Sequence, residues 1–304
     1  MKDLSRVELR SISEYHSFYG LDKPMHPLVS VINYADFKQP SALHPHSLRY
    51  GIYSINLKKN FDGKVKYGQQ YYDFDEGVMT FYAPSQVINI EDVGMKRPDG
   101  FTLIIHPDFL HGTNLMTKIH DYGFFSYAAN EALLLSEREE QLVEGIFLNL
   151  QNEIGANTDV HTHDVVLSHI DLLLSYSNRF YNRQFITRKS ANNTLVAKLE
   201  AVLHNYFTSG EVVKSGLPTV QYLAAQLNVS ASYLGDMLRY HTGMNTQQHI
   251  QQVIIERAKE LLTATNQSVA EIAYQIGFEH PQSFNKLFKS KTSLSPLQYR
   301  QTFN

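Results

Sequence analysis

Apolar and polar positions alternate along the first hundred or so residues, and then the period changes. Tyr50-Gly-Ile-Tyr-Ser-Ile-Asn-Leu57, Lys64-Val-Lys-Tyr-Gly-Gln-Gln-Tyr-Tyr72, Val78-Met-Thr-Phe-Tyr82, Gln86-Val-Ile-Asn-Ile90 and Gly100-Phe-Thr-Leu-Ile-Ile105 are short, aromatic and β-branched. Asp62-Gly63, Glu76-Gly77, Pro84 and the Gly94–Pro98 stretch punctuate them, so residues 1 to about 110 read as closely spaced strands. That spacing predicts a small antiparallel barrel or sandwich. Further on, Ser136 and Glu139 have the spacing of a capping box, and Val143, Phe147, Leu150 and Ile154 make one helical stripe. A second helix, roughly His161 to Arg183, sets Val166, Ile170, Leu173 and Phe180 on one side. Two such amphipathic helices either cover the strands or form part of a dimer interface. Residues 184–193, ending Lys189-Ser-Ala-Asn-Asn193, are polar and read as a linker.

The rest is helical, and it carries one pattern twice. Val220-Gln-Tyr-Leu223-Ala224-Ala-Gln-Leu227 runs through Asn228 to Val229, Leu234, Leu238, Arg239 and Thr242. Val269-Ala-Glu-Ile272-Ala273-Tyr-Gln-Ile276, 49 residues later, runs through Gly277 to Phe278, Phe284, Phe288, Lys289 and Thr292, with one extra residue in the turn. Each copy has a first helix that packs, a tight turn, and a second helix with one core face and one free face, as a helix-turn-helix requires. Asn228 tolerates the left-handed conformation such a turn needs, and Gly277 serves the second turn. Ser230 is placed to cap the second helix of the first copy. Between the copies, Thr246 to about Leu262 reads as one helix with Ile250, Ile254, Ala258 and Leu261 on one side. Its 17 residues span about 26 Å at about 1.5 Å per residue, so it can hold two reading helices near the ~34 Å of one DNA turn.

Composition narrows the field. The 304 residues suggest two or three domains. The start has no apolar signal region and no apolar run approaches a membrane span, so a cytoplasmic protein is expected. With no cysteine, disulfides, zinc fingers and thiol chemistry are excluded. The net charge of −3 argues at first against nucleic acid. Residues 193–304, however, hold 9 of the 27 Lys/Arg and 7 of the 30 Asp/Glu, a net of +2 against −5 for the remainder. A mildly basic tail predicts modest, salt-dependent non-specific DNA affinity.

Ile254-Ile-Glu-Arg-Ala-Lys-Glu-Leu-Leu262, Ser268-Val-Ala-Glu-Ile-Ala-Tyr-Gln-Ile-Gly-Phe278, Ser283-Phe-Asn-Lys-Leu-Phe-Lys289 and Ser295-Pro-Leu-Gln-Tyr-Arg300 together resemble the signature of AraC/XylS-type transcription regulators. The resemblance covers about residues 195–304. It implies that the second recognition helix presents His280, Pro281, Gln282, Asn285, Lys286 and Lys289 to DNA. Gln282 and Asn285 suit bidentate adenine contacts or phosphates, whereas Lys286 and Lys289 suit phosphates or the outer groove. The matching positions of the first unit are Ser232, Gly235, Asp236 and Arg239. Here the chain departs from the family, which often places long polar or basic side chains where Gly235 and Asp236 stand. Asp236 repels phosphate unless it accepts from a cytosine amine or pairs with Arg239. Either the first unit reads different bases, or it reads weakly and the second dominates; the weak reading is preferred.

Relatives of this architecture carry an amino-terminal barrel of cupin type, and Gly77-Val-Met-Thr-Phe-Tyr-Ala-Pro84 is similar to the glycine-strand-proline segment of such regulatory cupins. Phe101-Thr-Leu-Ile-Ile-His-Pro-Asp-Phe-Leu110 also looks like relatives with this domain pair. The resemblance implies an α+β chain: a cupin-like effector-binding and dimerisation domain over 1–183 (barrel about 1–110, helices 136–183), a linker over 184–193, and a double helix-turn-helix domain over 194–304. Candidate ligand groups are His46, Arg49, Tyr53 and Tyr82, placed to orient a carboxylate or polyol, with ordinary rim and core roles as the alternative. His44-Pro-His46 and His161-Thr-His163 have chelate-like spacing, but no glutamate follows the first pair at the interval metal cupins use, so no metal and no cofactor are expected. The expected protein is a dimeric, effector-responsive transcription regulator, activator or repressor, that binds double-stranded DNA and contacts RNA polymerase, and is not an enzyme. The alternatives are a cupin-type enzyme tethered to DNA by its tail, and an unliganded constitutive regulator.

Overall fold

The computed structural model describes residues 6–38, 46–59, 65–67, 70–72, 77–90, 99–128, 131–157, 159–187 and 189–303. The chain divides into two units, Met1–Thr187 and Arg188–Asn304.

In the first unit, β1 (Arg6–Leu9), β3 (His46–Tyr50) and β8 (Val87–Ile90) form a three-stranded sheet in the order β1-β3-β8. A five-stranded sheet runs from Leu133–Leu134 (β10) through Val78–Tyr82 (β7), Tyr53–Lys59 (β4) and Asp99–Ile105 (β9) to Val29–Asn33 (β2). A short pair, β5 (Val65–Tyr67) and β6 (Gln70–Tyr72), completes the set. The expected strands are present, but among the described residues the sheets do not close into a barrel. β2 and β10 end the larger sheet, and β1 and β8 end the smaller one. Nor is the pairing wholly antiparallel: β1 and β3 run parallel, with Val7 opposite Leu48. Helix α1 (Ile12–Phe18) and β2 lie between them in sequence and give the long crossover that a parallel pair needs.

Alternation along β4 sorts the larger sheet into two unlike faces. Ser54 lies opposite Tyr82 and Ile104, and Asn56 opposite Thr80 and Thr102. Ile55 and Leu57, on the other face, lie opposite Phe81 and Met79, and Leu103 and Phe101. This apolar face takes the rings of the segments that follow the strands. Phe101 stacks on Phe147 at 5.8 Å, Phe81 meets Phe124 at 4.5 Å, and Tyr53 meets Phe125 at 5.4 Å. Toward the smaller sheet, Ile32 and Ile104 join Leu9, Leu48, Tyr50, Ile52 and α1's Ile12 and Tyr15 in one cluster. Each fully buried Ile or Leu here contributes about 1.5–3 kcal/mol of transfer free energy.

Helices α4 (Glu137–Gly155) and α5 (Thr162–Thr187) follow the short α2 (Pro107–Leu110) and α3 (Asn114–Lys118). Glu139 accepts the Ser136 backbone N–H at 2.9 Å, and Arg183 donates to Glu139 at 2.6 Å and to the Leu134 carbonyl at 2.7 Å. The stretch read as a linker does not behave as one. Residues 184–187 complete α5, and α6 (Lys189–Thr208) begins at once. Buried Gln184 accepts from the Leu134 N–H at 2.8 Å and donates to the Ala132 carbonyl at 3.2 Å. Asn192, also buried, lies 2.8 Å from the His241 Nε2. Polarity here marks buried hydrogen bonding rather than solvation.

The second unit continues with α7 (Glu211–Ser215), α8 (Val220–Gln226), α9 (Ala231–Thr242), α10 (Thr246–Ala264), α11 (Val269–Gln275), α12 (Pro281–Thr292) and α13 (Pro296–Gln301). Its core is the inward stripe expected from sequence: Leu223, Ala224, Leu234 and Leu238 in one half, Ile272, Ala273, Ile276, Phe284 and Phe288 in the other. Ile250, Ile254, Ala258 and Leu261 of α10 are buried between them. Arg300 closes α10, donating to the Leu262 carbonyl at 3.0 Å and to Gln267 O at 2.7 Å.

Candidate nucleic-acid interface

The two copies repeat one another down to single hydrogen bonds. Thr219 caps α8 through the Tyr222 N–H at 3.1 Å; Ser268 caps α11 through the Glu271 N–H at 3.2 Å. Glu271 returns the bond at 2.6 Å, and accepting the Ser268 N–H holds its carboxyl below the ordinary value. At the turns Asn228 has φ 56° and Gly277 has φ 96°, both left-handed as expected. The chain then folds back: Val229 N–H reaches the Ala224 carbonyl, and Phe278 N–H the Ala273 carbonyl, each at 3.0 Å. Ser230 caps α9 through the Tyr233 N–H at 3.1 Å, whereas Pro281 opens α12 at a position where no N–H is needed. Both second helices end alike. Gly243 and Ser293 are left-handed, and Thr242 and Thr292 each donate to the carbonyl four residues back at 2.8 Å.

With Phe284 and Phe288 turned into the core, α12 leaves Gln282, Asn285, Lys286 and Lys289 exposed on one side. His280 is exposed at its start, and Pro281 is partly buried. On α9 the corresponding side holds Ser232, Gly235 and Asp236, all half-buried, and exposed Arg239. Asp236 accepts from the Arg239 Nη1 at 2.8 Å. The structure therefore brings each set of outward residues onto one helix face. The second face offers two amides and two ammonium groups; the first offers a hydroxyl, a glycine and an ion pair.

Comparison with known proteins fits this geometry. A family model described as a helix-turn-helix domain matches residues 223–302. The HTH-type transcriptional activator RhaS of Salmonella agona is 22% identical over 297 residues, covering 90% of this chain and 98% of its own length. The Msm operon regulatory protein of Streptococcus mutans is 30% identical over 112 residues, 37% of this chain and 38% of that protein. Residues 223–302 form a helix-turn-helix domain of the AraC/XylS type. Among solved structures, the C-terminal domain of the response regulator yesN from Fusobacterium nucleatum is 32% identical, covering 33% of this chain and 96% of that domain, with a TM-score of 0.29. No helix among the described residues is long and apolar enough to cross a membrane.

In the first unit, the four candidate ligand groups are not brought together. Tyr53 points to the apolar face of the larger sheet, where burial against Phe125 pushes its phenol up. Tyr82 belongs to the opposite face, beside Ser54. Arg49 sits between buried Leu48 and Tyr50 on β3, so it points away from the core, its Nη1 3.9 Å from Glu8. His46 pairs through its backbone with Ile90. His44 lies outside the described residues, and His163 Nε2 is 3.0 Å from the Phe109 carbonyl. Among the described residues no group of three or more acidic or histidine side chains could hold a metal.

Sequence reading missed the polar row that the larger sheet carries. Tyr34 donates to Asn56 Oδ1 at 3.1 Å, Ser54 to the same oxygen at 3.2 Å, and Asn56 Nδ2 to the Thr80 carbonyl at 3.3 Å. Ser54 and Thr102 hydroxyls lie 3.4 Å apart. Burial pushes the Tyr34 and Tyr82 phenols up, so both stay neutral. Thr80 Oγ1 is buried beside the Tyr82 phenol. The signal was in the sequence: Ser54 and Asn56 alternate with Ile55 and Leu57 inside an otherwise apolar strand.

Proposed function

We propose that this protein is a transcription regulator that reads two adjacent major-groove segments with α9 and α12, senses a small effector in its amino-terminal unit, and acts as a dimeric activator in the cytoplasm. The observation that carries the DNA reading is the exposed Gln282–Asn285–Lys286–Lys289 face, set on a helix whose opposite side is fully buried. Amides suit bidentate adenine readout, and the lysines suit phosphates. His280 and Pro281 stand at the start of that helix. The activator sense follows the name of the RhaS relative, and contact with RNA polymerase is part of the same proposal.

For the effector, the hydroxyl and amide row of Tyr34, Ser54, Asn56, Thr80, Tyr82 and Thr102 supports a polar small molecule lying on that sheet face. Exposed Leu148 on α4, with Val165 and Leu172 seven residues apart on α5, supports pairing of two copies through these helices.

The test is selection of binding sites from a random duplex library by the full-length protein, followed by footprinting. The reading expects two protected segments about one helical turn apart. Recovery of no common sequence refutes it. Sedimentation of Leu172→Glu, with a shift from dimer to monomer expected, checks the pairing separately.

A further inference from the structure

The first recognition helix departs from a DNA-reading surface at two places, Gly235 and Asp236, and each departure has a physical oddity. A glycine in the middle of a helix weakens it relative to alanine. Gly235 is not there for its backbone, which is ordinary right-handed helix. Nor is it there for packing, since an added Cβ would meet only the Thr246 Oγ1, at 3.9 Å. Asp236 places a carboxylate on the side of α9 that corresponds to Lys286 of α12, where phosphate repels it.

Arg239 joins the two oddities. Helical side chains lean toward the N-terminus of their helix, so Arg239 extends back over the preceding turn, the turn of Gly235 and Asp236. There the Asp236 carboxylate holds its Nη1 at 2.8 Å. The arginine side chain remains 61% exposed, while that of Asp236 is 29% exposed. An exposed pair of this kind contributes little to stability, so its main consequence is geometric. A guanidinium has five N–H groups in a rigid fork; one bond to Asp236 leaves the rest of the fork available. Gly235 leaves the surface beside that fork clear.

We propose that Asp236 is a positioning residue that aims Arg239 at a guanine, so that the first helix-turn-helix reads a base through an arginine held from behind. The inference rests on the DNA-reading function proposed above. Guanine is the base whose O6 and N7 accept an arginine fork in the major groove. Asp236 itself touches no DNA in this arrangement; its charge is spent on Arg239. This places the first unit among base readers, contrary to the weak-reader preference drawn from the sequence alone.

The test compares sequence preferences of the full-length wild type, Asp236→Ala, Arg239→Ala and the double variant, each selected on one random duplex library and then titrated on the wild-type site and on random duplex. The expected wild-type motif contains a guanine in one half-site that both single variants relax, and at that position only. Asp236→Ala should weaken the selected site about tenfold or more, with little change on random duplex. The double variant should lose no more than Arg239→Ala alone, because the aspartate acts through the arginine. Tighter binding of Asp236→Ala to both duplexes would mean that the carboxylate only repels phosphate, and would overturn the proposal. So would relaxation at different positions in the two single variants. Asn285→Ala separates this from the parent reading: a wild type that selects a motif sensitive to Asn285 but not to Asp236 keeps the DNA function and loses only this inference.

Discussion

Gly277→Ala isolates the geometry on which the second helix-turn-helix depends. At φ +96° an L side chain is strained, by about 1–2 kcal/mol from the left-handed backbone alone. The new methyl would also lie 2.5 Å from the Val212 Cγ2 and 3.2 Å from the Val212 carbonyl oxygen. Val212 is 3% exposed and β-branched, so it cannot rotate away freely. Overpacking of this kind costs about 1–3 kcal/mol. The lower chain entropy of unfolded alanine returns about 0.4–1 kcal/mol. The net expectation is about 3 kcal/mol, a large share of the stability of an ordinary domain. Hydrogen exchange read by mass spectrometry on the full chain localises the effect. Amides of α11 and α12 should exchange roughly 150-fold faster where opening limits exchange, and Val212→Ala should cost less in the Gly277→Ala background than alone, because it relieves the same contact. A Gly277→Ala protein within about 0.5 kcal/mol of wild type would refute the account of this turn.

Gln282→Ala and Asn285→Ala should each cost about 1–3 kcal/mol on a selected site and relax its base preference; unchanged preference in both removes α12 as a base reader. Lys289→Ala should weaken selected and random duplex alike and lower the salt slope by about one, and a loss confined to the selected site would contradict a phosphate role. Arg300→Ala should destabilise the second unit by about 2 kcal/mol in urea titration, because the Leu262 and Gln267 carbonyls, at the end of α10 and in the turn before α11, lose a charged donor. Burial pushes the His249 pKa down, opposed by Glu200, so the fold favours the neutral ring. Its contribution is therefore present above the ordinary histidine value of about 6.5 and fades as pH falls through the lowered folded value; His249→Gln should flatten that acid loss, and an unchanged pH profile would exclude it.

The second unit was legible because each repeat states its structure locally. The cap at Ser230, left-handed positions at Asn228 and Gly277, and the apolar stripe through Phe284 and Phe288 are all short-range signals. The structure matches each of them. The first unit was less legible because its character is set by non-local pairing. The five closely spaced strands read from sequence carry no mark that β1 would run parallel to β3, or that β2 would lie against β9 across most of the strand region. Ligand groups chosen by proximity in sequence fell on different faces, as Tyr53 and Tyr82 show, since register decides facing. Gln184 and Asn192 were misread for a related reason: composition cannot distinguish a solvated amide from a buried one that completes another segment's backbone bonds.

The two reading helices share one backbone and differ in how their outward faces are charged. At the four matched positions α12 carries Gln282, Asn285, Lys286 and Lys289, a net of +2, whereas α9 carries Ser232, Gly235, Asp236 and Arg239, a net of zero. Counterion release scales with the phosphates neutralised, so the salt-dependent share of affinity falls mainly on the second unit. The first unit can then add little that is independent of sequence. If it contributes to binding at all, that contribution has to come from a directed contact, and Arg239 is the one long side chain among its four outward positions. On the proposed DNA-reading function, a neutral first face beside a cationic second one separates the two tasks: α12 would supply most of the hold on the phosphates, and α9 would supply discrimination.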